Sequence, residues 1–145
     1  ISVISFAAAA AEPHRLHQIT AQQATALMQQ QQLSSVELTQ YYLQQIEKNN
    51  HKGAQIRAIV DINRDAIKLA TRLDAERKAG KIRGPLHGLP VVLKANIATA
   101  DGMPTTAGAL ALKGFLSKKD AELVTQLKAA GAEGILVVPI EKMIL

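Results

Sequence analysis

The chain of 145 residues contains no cysteine. That excludes a disulfide framework, a thiolate zinc site and a cysteine nucleophile, and it leaves the redox compartment open. Aromatic residues make up only 3%, so the core must be aliphatic, and little is available to stack on nucleic-acid bases. No apolar run reaches the length of about 20 residues that a membrane-spanning helix takes; the nearest approach is the apolar or small stretch 1–11. The sequence also lacks a phosphate-binding Gly-x-x-x-x-Gly-Lys loop and a Gly-x-Ser-x-Gly nucleophile elbow. Of the histidines His14, His17, His51 and His87, only His14 and His17 lie close together. No carboxylate stands at a ligand spacing beside them, so neither a metal nor a cofactor is expected.

What is present describes a globular chain. Apolar residues account for 48% and charged residues for 20%, enough to build a core in one domain of ordinary size. The net charge is +5. Between Arg64 and Arg83 seven basic residues face three acidic ones, a local +4. A run of mixed sign reads as a solvated helix face, and no nucleic-acid partner is expected. Residues 1–13 read as the remnant of a secretory signal, with Ala9-Ala10-Ala11 as its cleavage site, or as an alanine-rich tail that frays. The first reading favours a periplasmic or secreted protein, and otherwise a cytoplasmic one is expected.

Helix signals are clear. Thr20 with Gln23, and Ser34 with Glu37, have the capping-box spacing, and Ile19 stands ready to staple onto Ala24. Leu38, Tyr42 and Ile46 then recur along one face, so an α-hairpin is expected. The β-branched stretch Ala58 to Ile62 predicts a strand, and Asn63 a cap for a helix carrying Ile67, Ala70 and Leu73, closed by Gly80. Gly84, Pro85, Gly88 and Pro90 punctuate a loop before a strand at Val91 to Lys94. Thr99 to Gly108 reads as a second loop. Ser117 and Asp120 are expected to open a helix carrying Leu123, Val124, Leu127 and Lys128, closed by Gly131, and Ile135 to Val138 reads as a last strand stopped by Pro139. The alternation predicts an α/β fold, a mixed sheet covered by helices, with the strand at 91–94 flanked by the helices near Ile67 and Leu127.

Lys94 ends an apolar strand, and lysine is rarely buried without a partner. An edge-strand lysine that blocks sheet-to-sheet aggregation is one reading. The other is a lysine whose burial disfavours its charge, so that it serves as a neutral base, the arrangement used by Ser-Lys hydrolases. Spacing alone leaves both open.

The stretch GPLHGLPVVLKANIATADGMPTTAGALAL, residues 84–112, closely resembles the N-terminal block of the amidase signature family. The upstream helices, RAIVDIN and DAELVTQLKAAGA extend the resemblance over roughly residues 17 to 132. It implies that residues 14–145 are the N-terminal part of a single amidase domain, nearest in character to bacterial peptide amidases. The implied activity is hydrolysis of a small-molecule or peptide amide by a Ser-cisSer-Lys triad, with Lys94 as the catalytic base. There are three departures from the pattern. The family's Asp after the lysine is Ala95, its Ser after Thr-Ala-Gly is Ala109, and both triad serines belong to downstream segments that these residues do not include. The chain is therefore expected to be inactive alone and to self-associate through exposed sheet edges. Two alternatives accompany this reading: a non-catalytic amidase remnant serving as an interaction module, and a subunit of a tRNA-dependent amidotransferase.

Overall fold

Side-chain oxygens start the first two helices of the computed structural model, which describes residues 16–132 and the backbone of 135–138. The segment read as an export signal, with the localisation that rests on it, lies outside the described residues, as do His14 and Pro139. Helix α1 (Ala21–Gln29) begins where Thr20 Oγ1 accepts the Gln23 N–H at 3.1 Å and Gln23 Oε1 accepts the Thr20 N–H at 2.9 Å. Ser34 and Glu37 repeat that exchange at the start of α2 (Ser35–Ile46). No glycine ends α1; Gln31 takes the left-handed conformation (φ 58°) and Gln32 N–H closes onto Leu27 O at 2.9 Å. Ala24 and Met28 of α1 and Leu38 and Tyr41 of α2 share one buried cluster with Leu33 and Leu89, and Ile19 packs against it. Both helices expected of the α-hairpin are present.

Helix α2 runs into a π-helical turn at Glu47–His51, which buries Asn50. That turn shortens the strand expected at 58–62 to β1, Asp61–Ile62. The Asn50 carboxamide accepts the Ile59 N–H at 2.9 Å and donates to Ile59 O at 2.8 Å. A side chain thus takes the hydrogen bonds that a partner strand would have made. Helix α3 (Ala66–Lys78) starts at Asp65, two residues after the expected cap, because Asn63 Oδ1 accepts the Asp65 N–H and spends itself on the preceding turn. Its buried stripe is Ala66, Ala70 and Leu73, and it lies chiefly across α2. The Asp74 carboxylate reaches over to accept Ser35 N–H at 2.7 Å and Val36 N–H at 3.1 Å, so α2 is capped a second time from α3.

Strand β2 (Val91–Lys94) pairs in parallel with β3 (Ile135–Val138), from Val91 opposite Ile135 to Lys94 opposite Val138. Strand β1 pairs antiparallel with the other edge of β3, so the order is β1-β3-β2 and the sheet is mixed, as expected. Val91 and Leu93 are covered by Val124 and Leu127 of α4 (Glu122–Ala129), together with Ala95 and Met103. The expectation of flanking helices is thus met by α4, while α3 spends its buried face on the hairpin. Helix α4 also starts later than expected. Ser117 turns its hydroxyl onto Lys119, and Asp120 is drawn away to the Ala100 N–H and to Lys128. Leu123, expected in the stripe, is exposed. No described helix is long and apolar enough to cross a membrane.

Candidate functional site

The block 84–88 owes its composition to backbone contact. Leu86 N–H donates to Ala130 O and Gly88 N–H to Gly131 O, both at 3.0 Å, which lays the block directly on the end of α4. A Cβ on Gly131 would stand 2.6 Å from His87 Cα, and one on Gly88 would stand 2.0 Å from Ser35 Oγ. Only glycine permits both approaches. His87 at the centre is 1% exposed. Its Nδ1 accepts the Arg83 N–H at 3.2 Å, which makes Nε2 the protonated nitrogen, and Nε2 donates to Leu73 O at 3.0 Å. Arg77 Nη2 donates to His87 O at 2.7 Å. Burial pulls the Arg77 guanidinium below its ordinary pKa, and Asp74 opposes that shift. His87 is therefore a bracket joining α3, the 84–88 block and α4, and both ring nitrogens are occupied by protein.

The block delivers the chain into β2, whose last residue is Lys94. Successive strand residues point to opposite faces. Leu93 enters the core at 5% exposure, while Val92, at 50%, and the partly buried Lys94 share the other face. Ile62 and Val92 both pair with position 136, so they stand in one row of that open face. Lys94 is partly buried rather than sealed. Among the described residues its ammonium has no hydrogen-bond or ion-pair partner, and this distinguishes it from Lys128, which pairs with Asp120 at 2.7 Å. In sheets with parallel strands, ligands gather at the carboxyl ends, and Lys94 is the carboxyl end of β2.

The loop that follows is tied down residue by residue. Lys94 O accepts the Ile97 N–H at 2.9 Å, Ala95 O the Ala107 N–H at 3.1 Å, and Ala98 O the Ala121 N–H at 2.9 Å. Ala95 itself is 2% exposed and lies in the core with Leu93 and Met103, away from the face of Lys94. A carboxylate at that position would point into an apolar cluster. Beyond the ties, residues 108–116 are all exposed, with Leu110, Leu112, Phe115 and Leu116 among them.

Sequence reasoning treated the basic residues of α3 as a solvated face. It thereby missed Arg77 and Asp74, whose contacts lie 10 and 39 residues away. Their i, i+3 spacing on α3 was the only available sign. Among the described residues, no three His, Cys, Asp or Glu side chains converge as a metal site would require. The described serines are engaged elsewhere: Ser34 caps α2, Ser35 is buried under Gly88, and Ser117 bonds Lys119. A groove of about 620 Å³ along α1, lined by His17, Ile19, Gln23, Leu27 and Gln30, includes neither Lys94 nor its loop.

The Amidase family model matches residues 37–137. A putative amidase of Arthroderma benhamiae is 46% identical over 94 residues, which is 65% of this chain and 15% of that protein. A glutamyl-tRNA(Gln) amidotransferase subunit of Chloroflexus aurantiacus is 39% identical over 118 residues, 81% of this chain and 23% of that protein. Among solved structures, the native peptide amidase from Stenotrophomonas maltophilia superposes with a TM-score of 0.76 at 42% identity, covering 85% of this chain and 24% of that one. An amidase family protein from Bacillus anthracis gives 0.79 at 34% identity, covering 86% and 25%. The chain thus spans a quarter or less of the length of these relatives. The matched segment holds α2 to β3 in sequence and the same fold in space, and by both measures this chain belongs to the amidase signature family of hydrolases.

Proposed function

We propose that this chain carries the lysine base of a carboxamide hydrolase. Lys94 supports that reading through one observation: its amine stands at the carboxyl end of β2 without a partner among the described residues. An amine that no described residue engages is open to a serine supplied from outside those residues. In the reaction, the Lys94 amine takes the proton of a bridging serine, and that serine takes the proton of the nucleophilic serine. The freed oxygen attacks the amide carbon, and the ammonium left on Lys94 favours the negative charge developing on the carbonyl oxygen. The C–N bond then breaks, and ammonia or an amine leaves with the returned proton. Water hydrolyses the acyl ester by the same relay in reverse. Both serines must be supplied from outside the described residues, so the 145-residue chain by itself releases no ammonia from simple aromatic or peptide amides.

The test is reconstitution with the downstream three quarters of a peptide amidase, following ammonia release. Activity that appears on mixing and falls by several orders of magnitude with Lys94→Met supports the assignment, since loss of one member disables such a unit. Reconstituted activity that survives Lys94→Met refutes it. A second reading, the amidotransferase subunit, is favoured by the 39% identity to the Chloroflexus aurantiacus protein. It predicts ammonia release from glutamine that depends on a charged tRNA and a partner subunit.

A further inference from the structure

Beyond the buried Met103 the chain makes a closed excursion. Thr105 N–H donates to Phe115 O at 2.9 Å, and Pro104 and Leu116 form an antiparallel bridge, so the two ends of residues 106–114 are held together. The middle is the short 3₁₀ turn Leu110–Leu112, in which Leu112 N–H reaches Ala109 O at 3.0 Å. Every residue from 108 to 116 is exposed. Leu110 stands furthest out at 83%, with Phe115 at 52%, Leu116 at 51% and Leu112 at 39%. The sequence thus places four large apolar side chains on one short loop turned to water.

Its charge has one sign. From Gly102 to Lys119 there is no acidic residue. Lys113, Lys118 and Lys119 are exposed, and among the described residues none of them has an ion-pair partner. The carboxylates on either side are turned inward. Asp101 accepts the Thr99 hydroxyl at 2.7 Å, the Met103 N–H at 3.3 Å and Asn63 Nδ2 at 3.2 Å. Asp120 accepts the Ala100 N–H and Lys128 Nζ, each at 2.7 Å. Neither is left to neutralise the three lysines.

We propose that the loop 105–119 docks on an anionic lipid surface, its apolar tip entering the headgroup boundary and its lysines meeting the phosphates. Protein interfaces favour Tyr, Trp, Met and Arg and are depleted in Lys. A lysine at a bilayer instead lays its stem along the apolar boundary and carries its ammonium to the headgroups. Each such lysine adds to the pull of an anionic leaflet. The docking is to the surface, since no described helix could cross a membrane. Lys94 lies outside this loop, so docking and catalysis stand or fail separately.

Flotation of the full 145-residue chain with vesicles tests this, because lipid-bound protein rises through a density gradient while self-associated protein sinks. The chain should rise with vesicles of equal parts phosphatidylglycerol and phosphatidylcholine and stay down with phosphatidylcholine alone. High salt should weaken the binding. Lys113→Gln/Lys118→Gln/Lys119→Gln should lower the affinity roughly ten- to hundredfold, and Leu110→Ser/Phe115→Ser should abolish it. All five positions are exposed, so urea midpoints should match the original chain. A chain that sinks with both kinds of vesicle overturns the proposal, as does one that rises equally with both and ignores the lysine changes. Binding lost when the downstream three quarters of a peptide amidase is added also overturns it, and assigns the loop to a contact inside the amidase domain.

Discussion

Gly131 and Gly80 allow the backbone contact beneath the site to be weighed. Both follow a helix, both are left-handed (φ +91° and +73°), and both close the same pair of bonds. Gly131 N–H reaches Lys128 O and Ala132 N–H reaches Leu127 O; Gly80 N–H reaches Arg77 O and Lys81 N–H reaches Glu76 O. They differ in what lies over them. A Cβ at position 80 meets nothing within 4 Å, whereas one at position 131 meets His87 Cα at 2.6 Å and His87 N at 3.0 Å. Gly80→Ala should therefore cost only the left-handed strain, about 1–2 kcal/mol. Gly131→Ala carries the same strain and must also push the 84–88 block away, weakening the two bonds from Leu86 and Gly88 at about 0.5–1.5 kcal/mol each. The expected total is about 2–5 kcal/mol, and the difference between the variants about 1–3 kcal/mol. Urea unfolding of both, compared through their midpoints at equal slope, measures that difference. Thermal melting should separate them by roughly 2–4 °C per kcal/mol for a chain of this size. Two variants within about 0.5 kcal/mol of each other, the scatter of neutral surface changes, would show that the block yields freely and that the glycine is not there for the approach.

Asp120 should give the chain an acid-sensitive term. Burial alone would raise its pKa, but the hydrogen bond to Lys128, the Ala100 N–H and the Lys128 charge together hold it below the ordinary carboxylate value. A depressed folded value means stability that is present above the unfolded pKa of about 3.9 and lost as pH falls through the folded one. Asp120→Asn should therefore be less stable at neutral pH and lose less between about pH 5 and pH 2, as urea midpoints across that range would show; parallel curves for the two proteins would exclude the term. The exposed run with Leu110 at 83%, Phe115 at 52% and Leu116 at 51% should make the isolated chain self-associate. Light scattering should show a higher mass that falls with Leu110→Ser/Phe115→Ser, and a clean monomer at high concentration would refute this.

The parts of the fold legible in the sequence are those closed over three or four residues. Thr20 with Gln23 and Ser34 with Glu37 form the expected boxes because each reaches only one helical turn. Gly80 and Gly131 end their helices because left-handed backbone is a local demand. Two of the corrections are local, Asn63 accepting the Asp65 N–H and Ser117 turning onto Lys119, while others come from a polar side chain with a distant rival for its hydrogen bond. Asn50 takes the backbone of Ile59, Asn63 turns to Asp101, and Asp120 goes to Ala100 and Lys128. No window along the chain reveals such rivals, since the partner becomes a neighbour only after folding. For the site, residues 84–112 pointed to Lys94 through family resemblance, and the strand that carries it is present. Invisible beforehand was the structural duty of His87, whose contacts reach α3 and the end of α4.

The sheet order has a consequence for how the chain is made. Strand β3, the last described segment, is the middle of the sheet, and neither β1 nor β2 pairs with any other described strand. During synthesis from the amino end, the hairpin of α1 and α2 with α3 can assemble as soon as it emerges, since its partners are already out. Strands β1 and β2 must wait with open edges until residue 138 arrives. The loop closed by the pairing of Ile62 with Leu136 spans half of the chain, and such long closures are slow to nucleate. The nascent protein is therefore a formed helical layer trailing two unpaired strands, and it is exposed to wrong partners for as long as translation of that interval takes.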